Sequence, residues 1–344
     1  MTTRIGINGF GRIGRNVFRA AAERAAHAAG SGRGAGDLEI VAVNDLGDVP
    51  TMAHLLARDS VLGRFPAEIT PEPGALRVGD TRLTVLAERD PAALPWGDLG
   101  VDVVIESTGV FTSADKARAH VAGGAKKVVI AAPADGEDLT VVLGVNEDAY
   151  DPARHTIISN ASCTTNCLAL MAKVLHDAVG IESGMMTTVH AYTQDQNLLD
   201  APHKDPRRAR AAALNVAPTS SGAAKAIGLV LPELQGRMDA YALRVPVPTG
   251  SVTDLTVTTS RPTTPEEVNA AYAEAAAGPL KGLLSCTDAP LVSTDITGDP
   301  ASCVLDAQLT RTTGPQLKVV GWYDNEWAYA NRLLDLTSHI ATTL

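Results

Sequence analysis

The segment Arg4-Ile5-Gly6-Ile7-Asn8-Gly9-Phe10-Gly11-Arg12-Ile13-Gly14-Arg15 constrains this chain more than any other, because a short apolar run passes directly into Gly-x-Gly-x-x-Gly. Each glycine meets a physical demand. Gly9 permits a tight turn off a strand, Gly11 lets the backbone approach a pyrophosphate, and Gly14 lets a helix pack closely on that strand. The helix start turns its free N–H groups toward phosphate. Residues 38–44 read as a second strand, and Asp45 follows where a ribose-binding carboxylate belongs. The spacing from Gly14 to Asp45 exceeds the usual ~20 residues. The Ala/Gly-rich residues 20–36 supply the excess, which places it before the second strand, at the sheet edge away from a cofactor. Apolar runs at 101–109 and 127–133 read as strands covered on both faces. The expected fold is α/β, a doubly wound dinucleotide-binding domain.

The second landmark is Ser162-Cys163-Thr164-Thr165-Asn166-Cys167. Cys163 sits where small polar residues enter a helix, and a helix N-terminus favours a thiolate. Cys167, one turn further on, reads as packed, and Cys286 and Cys303 as structural. His190 follows Cys163 by 27 residues at the end of a strand, where it could serve the sulfur as base and then acid, or be a satisfied core histidine. A dinucleotide site beside a nucleophilic thiol points to oxidation of an aldehyde through a covalent thioester.

At 344 residues the chain exceeds one ordinary core, so two domains are expected. Beyond residue 162, strands at 185–192, 238–247, 252–259 and 317–322, with a helix at 265–277, indicate a second, α+β domain with a mainly antiparallel sheet. The expected boundaries are 1–162 for the Rossmann domain, 163–327 for the catalytic domain, and a C-terminal helix, 328–344, packing back on the first. A net charge of −10 argues against nucleic acid as a partner. No run is long and apolar enough for a membrane span. Four cysteines are too few for a disulfide framework, which suggests a reducing cytoplasm.

Residues 7–15, 159–169, 188–193, 222–226, 244–246 and 322–326 closely resemble the phosphorylating, NAD-dependent glyceraldehyde-3-phosphate dehydrogenases of bacterial type, in order and through essentially the whole chain. The resemblance implies a homotetramer that converts glyceraldehyde 3-phosphate and inorganic phosphate to 1,3-bisphosphoglycerate with NAD, in glycolysis and gluconeogenesis. It implies Cys163 as nucleophile and His190 as acid–base partner. Phosphate groups fall to Ser162, Thr164, Thr165, Thr193, Arg208, Ser221, Gly222 and Arg244, with Arg210 as an alternative to Arg208. The cofactor falls to Gly9, Gly11, Arg12, Ile13, Gly14, Asp45, Arg89, Ser107, Thr108, Ala131, Asn325 and Tyr329, and no metal is implied. Asp45 repels a 2′-phosphate, favouring NAD over NADP. Asp48 and Pro202 agree, whereas Gly47 and Ala201 are the small residues of more permissive relatives. The remaining basic residues of the loop, His203, Lys204 and Arg207, read as solvated or as subunit contacts.

Some positions depart from the family pattern: Leu170 for a proline, Ala131 for a hydroxyl residue, Ser221 for threonine, Pro206 for an apolar or aromatic residue, and Ala328 and Ala330 around Tyr329. Neutral drift explains them, or an isoenzyme whose thiol pocket admits electrophilic inhibitors slowly. Two further functions fit the same scaffold, an erythrose-4-phosphate dehydrogenase and a non-catalytic binding protein.

Overall fold

The computed structural model describes residues 2–30 and 38–344, so the end of the Ala/Gly-rich stretch, 31–36, lies outside the described residues. The chain divides into two compact units. The first holds Met1–Val141, Asp148–Ala161 and Ala330–Leu344. In chain order it contains β1 (Thr3–Asn8), α1 (Arg12–Gly30), β2 (Leu38–Asn44), α2 (Val49–Ala57), the short pair β3 (Arg58–Asp59) and β4 (Gly63–Arg64), β5 (Ile69–Glu72), β6 (Ala75–Val78), β7 (Thr81–Leu86), β8 (Val103–Glu106), α3 (Ala114–Ala122), β9 (Lys127–Ile130), β10 (Leu139–Thr140) and β11 (Ile157–Ser159).

Nine of these strands form one sheet, in the order β10-β11-β9-β8-β1-β2-β7-β6-β5. From β10 to β7 all pairs are parallel, whereas β5-β6 and β6-β7 are antiparallel. Every residue of β8 and β9 is buried, as central parallel strands require. These two strands are shorter than the apolar runs suggest. They stop at Glu106 and Ile130, after which Ser107 Oγ donates to Asn8 and Gly9 carbonyls and Gly109 takes φ +72°. The antiparallel edge β5-β6 escaped the sequence reading because its four-residue strands carry no sustained alternation.

Close packing around β1 rests on missing side chains. A Cβ at Gly14 would lie 2.1 Å from the Gly9 carbonyl oxygen, so α1 meets the strand only because that position is glycine. On β1 itself a Cβ at Gly6 would lie 2.6 Å from the Trp96 ring, which is fully buried among Leu94, Val101, Val104 and Ala125. Residues 330–344 belong to this unit. Arg24 of α1 donates to the Asn331 side chain at 2.8 Å and pairs with Asp335 at 2.6 Å.

The second unit holds Val142–Glu147 and Ser162–Tyr329, so the short segment before residue 148 sits here rather than in an unbroken first domain. A Cβ at Gly144, φ +82°, would crowd Leu170, Leu280 and Leu283, all of this unit. Its elements are α4 (Cys163–Val179), β12 (Ile181–Ala191), β13 (Ala217–Ser220), α5 (Ala223–Val230), β14 (Met238–Val245), β15 (Ser251–Thr259), α6 (Pro265–Ala277), β16 (Leu284–Thr287), β17 (Cys303–Asp306), β18 (Arg311–Thr313), β19 (Gln316–Tyr323) and the start of α7 (Trp327–Ala341). The sheet runs β13-β14-β12-β15-β19-β17-β16, with β18 on β19, and only β12-β14 and β16-β17 are parallel among the described residues. Strict alternation of burial along β15 marks one face packed and one open. Helix α4 covers that sheet closely: a Cβ at Gly321 would lie 2.7 Å from both Cys303 Sγ and Met171 Sδ. Cys167 and Cys303 are buried, whereas Cys286, expected to pack, is exposed at the end of β16.

Replacing Gly6 with alanine forces Trp96 out of a filled core. Urea denaturation of Gly6→Ala is expected to show a loss of about 1–3 kcal/mol, and unchanged stability would mean that the ring moves aside freely.

Candidate active site

In the first unit the candidate cofactor residues gather at the C-terminal ends of β1, β2 and β8, where an open parallel sheet places its ligand crevice. Gly9 has φ +93° and a Cβ there would strike the Thr108 backbone at 2.7 Å, whereas nothing lies within 4 Å of a Cβ at Gly11. The turn is thus tight against protein at Gly9 and open at Gly11, as a pyrophosphate approaching the start of α1 requires. Asp45 is held by donation from Phe10 N (2.8 Å) and Gly47 N (3.0 Å), which leaves acceptor capacity for ribose hydroxyls. The arginines behave differently. Arg12 pairs with buried Asp59 at 2.5 Å, so its side chain is structural and only its backbone suits phosphate, while Arg89 is exposed. Asp48, read as a cofactor-preference residue, spends both oxygens on Thr51 at the start of α2.

A network unseen in the sequence lies beneath Thr108. Glu106 accepts from Asn8 Nδ2, His120 Nε2, Thr108 N and Thr108 Oγ1, and Trp96 Nε1 donates to His120 Nδ1 at 3.0 Å. Four donors on one buried carboxylate fix the turn that carries Ser107 and Thr108.

In the second unit Ser162 caps α4, its Oγ accepting from Thr165 N at 3.0 Å, and Cys163 opens the helix. Cys163 Sγ lies 3.5 Å from His190 Nε2 at the end of β12. His190 Nδ1 faces the Ala191 carbonyl at 2.7 Å; that ring nitrogen therefore carries the proton and donates, leaving Nε2 free to accept from sulfur. Burial pushes the thiol up to about 11, against the opposing pull of Arg244, and pushes His190 down to about 3, with Arg244 acting in the same sense. Burial thus opposes the thiolate that the helix N-terminus favours, and Arg244 supports it.

Arg244 on β14 donates to Thr193 Oγ1 at 2.6 Å, and Arg208 donates to Asp195 at 2.6 Å and to Thr219 Oγ1 at 3.0 Å. Burial raises the Asp195 carboxyl, yet the Thr193 hydroxyl, Arg244 and Arg208 together outweigh it and hold the group below its ordinary value. Two guanidiniums, two threonines, Asp195 and Asp205, which lies 3.9 Å from Arg208, form a charged cluster. Arg210 instead pairs with Asp200 on the surface at 2.8 Å. Thr164 turns its hydroxyl inward to Tyr323, and Thr165 turns its own to Ser162, so these two offer an anion their backbone rather than their side chains. Ser221 and Gly222 lie at the start of α5, with Ser221 Oγ accepting from Ala223 N. Asp195, Thr219, Tyr323 and Ser251 were missed; the nearness of Asp195 to Thr193 in one turn was the available signal.

Leu170 is fully buried in α4 against the Gly144 segment, and Ala328 and Ala330 are buried. Ala131 donates its N–H to the Glu106 carbonyl, and Tyr329 is buried in α7.

A dinucleotide-binding unit and a thiol–imidazole unit in one chain are the equipment of a thiol-dependent dehydrogenase. Residues 3–114 match the family model "Glyceraldehyde 3-phosphate dehydrogenase, NAD binding domain" and residues 162–325 the model "Glyceraldehyde 3-phosphate dehydrogenase, C-terminal domain". The chain is 79% identical over 344 residues to glyceraldehyde-3-phosphate dehydrogenase 1 of Streptomyces avermitilis and 78% identical to glyceraldehyde-3-phosphate dehydrogenase 2 of Streptomyces arenae, with 100% of each chain covered. It is 60% identical over 346 residues to glyceraldehyde-3-phosphate dehydrogenase of Mycolicibacterium smegmatis, again with 100% of both covered. The chain belongs to the glyceraldehyde-3-phosphate dehydrogenase family, and its cofactor is NAD.

If His190 is the proton acceptor, His190→Asn leaves the thiol to ionise against burial alone. Iodoacetamide alkylation of Cys163 at neutral pH is expected to slow by roughly tenfold or more, through loss of the general base that takes the thiol proton. An unchanged rate would separate the imidazole from the sulfur.

Proposed function

We propose that this enzyme oxidises D-glyceraldehyde 3-phosphate with NAD and inorganic phosphate to 1,3-bisphosphoglycerate. The observation that carries the reading is Cys163 Sγ at the start of α4, 3.5 Å from a neutral His190 and beside Arg244. The sulfur attacks the aldehyde carbon as its proton passes to His190 Nε2 and on to the new alkoxide, giving a thiohemiacetal and a neutral His190. A reluctant thiol and a weakly basic imidazole exchange that proton only as the carbon–sulfur bond forms. Bound NAD supplies the two-electron acceptor that takes the hydride from the former aldehyde carbon. His190 takes the hydroxyl proton, and a thioester on Cys163 results. Inorganic phosphate then attacks the thioester carbon and the sulfur leaves. The Cys163 N–H and His190 hold the oxyanion, and Arg244, Arg208, Thr193 and the starts of α4 and α5 hold the phosphate groups.

The full set of Cys163, His190, Arg244 and Asn325 supports an enzyme over a non-catalytic protein of the same fold. We further infer a homotetramer, supported by the exposed apolar side chains of Leu198, Leu199, Leu214 and Val216 on one loop. A cytoplasmic location is supported by four cysteines that are all free.

Absorbance of NADH, followed with glyceraldehyde 3-phosphate and with erythrose 4-phosphate, each with and without phosphate, tests the reading. Turnover on the first aldehyde that depends on phosphate is expected, and a preference for erythrose 4-phosphate would overturn it. Cys163→Ser should abolish turnover with NAD binding kept, and His190→Asn should cost roughly 10²- to 10⁴-fold. Asp45→Ala should weaken NAD binding and narrow the preference over NADP; an unchanged ratio of efficiencies would place Asp45 away from the ribose.

A further inference from the structure

Ala191 ends β12 directly after His190, and both of its backbone polar groups are engaged. Its carbonyl accepts from His190 Nδ1 at 2.7 Å and Arg244 Nη1 at 3.3 Å, and its N–H donates to Ser251 Oγ at 3.0 Å. Ser251, at the start of β15, has no exposed surface. With the Ala191 N–H already pointing at its oxygen, its own hydroxyl proton is free for another acceptor, and Asn325 Oδ1 lies 2.9 Å away. The peptide on either side of Asn325 is fixed independently. Asp324 accepts from Thr249 Oγ1, Gly298 N, Glu326 N and Trp327 N. What remains unfixed by the backbone is the final torsion of the Asn325 side chain, which decides whether its oxygen or its NH2 faces outward. Ser251 settles it: Oδ1 points inward, and Nδ2 makes no hydrogen bond among the described residues.

We propose that Ser251 is a positioning residue that locks the Asn325 amide with its NH2 outward, so that the nicotinamide carboxamide meets a hydrogen-bond donor and turns its carbonyl oxygen, not its NH2, toward Asn325. This rests on the reading of Asn325 as the carboxamide's partner. Because the carboxamide is coplanar with the ring to which it is attached, choosing its orientation helps choose which ring face receives hydride. The same hydrogen-bond chain ends on the carbonyl that orients His190, so one buried hydroxyl ties the acid–base residue to the amide that holds the acceptor.

The test compares wild type with Ser251→Ala, Ser251→Thr and Asn325→Ala, using NAD, its 3-acetylpyridine analogue, which keeps the carbonyl oxygen but lacks the NH2, and ADP-ribose, which lacks the ring. In Ser251→Ala the amide is free to flip. Efficiency with NAD is expected to fall about tenfold, the effect of one lost positioning hydrogen bond. Efficiency with the analogue should fall further, because an outward Oδ1 repels its only polar group, while ADP-ribose affinity stays at the wild-type value. Ser251→Thr keeps the hydroxyl and should restore most of the loss. An unchanged analogue-to-NAD ratio in Ser251→Ala, or an equal loss of ADP-ribose affinity, would overturn the proposal. Wild-type kinetics in Asn325→Ala would instead remove the reading beneath it.

Discussion

The candidate site depends on one buried hydroxyl. Tyr323 Oη, at the end of β19, lies 2.7 Å from Thr164 Oγ1 and 2.8 Å from Thr188 Oγ1, and the Thr188 hydroxyl also reaches the Val252 carbonyl at 3.2 Å. Three side-chain hydroxyls from α4, β12 and β19 thus satisfy one another where water is excluded, and a buried hydroxyl left without its partner costs about 1–3 kcal/mol. The residues so pinned immediately adjoin the reacting groups. Thr164 follows Cys163, Thr188 lies one strand repeat before His190, and the Tyr323 ring meets the imidazole edge to face at 6.0 Å. A shift of α4 against the sheet would therefore break these hydrogen bonds as it changed the sulfur–imidazole distance.

Electrostatics acts on this frame in two opposite ways. Around the thiol and imidazole, burial suppresses charge until a substrate arrives. A few residues away, Arg208, Arg244 and Asp195 remain charged because each has a partner, so an anion entering there exchanges protein partners for its own oxygens. Burial opposes charge on the thiol and the imidazole, whereas the arginines nearby present charge to an anion. The two environments need different surroundings, and β12 and the turn after it supply both, with His190 at the strand's inner end and Thr193 and Asp195 just beyond.

Much of this could be read from residues in order. The glycine spacing at Gly9, Gly11 and Gly14 implied the strand-to-helix turn, a helical pattern marked Pro265–Ala277, and β-branched runs marked β15 and β19. What escaped was contact between residues far apart in sequence. Nothing local in Glu106, His120 or Trp96 marks a shared network, and nothing in Ser251 points to Asn325, 74 positions later. Burial escaped as well. Cys163 carries the sequence signs of a low-pKa thiol, but the weight of desolvation against a helix N-terminus is set by tertiary packing. Short antiparallel strands such as β5 and β6 fell below the length at which a two-residue period can be recognised.

The order of synthesis gives the placement of β19 and α7 a consequence of its own. The second sheet has β19 in its interior, between β15 and β17, and the first unit includes the residues from Ala330 to the end. Neither unit can close until β19 and α7 have left the ribosome. Until then Cys163 and His190 belong to a sheet lacking one of its middle strands, and Arg24 waits for Asn331 and Asp335. The nascent Cys163 and His190 therefore lack the Tyr323 hydroxyl and ring that frame them until β19 has been synthesised.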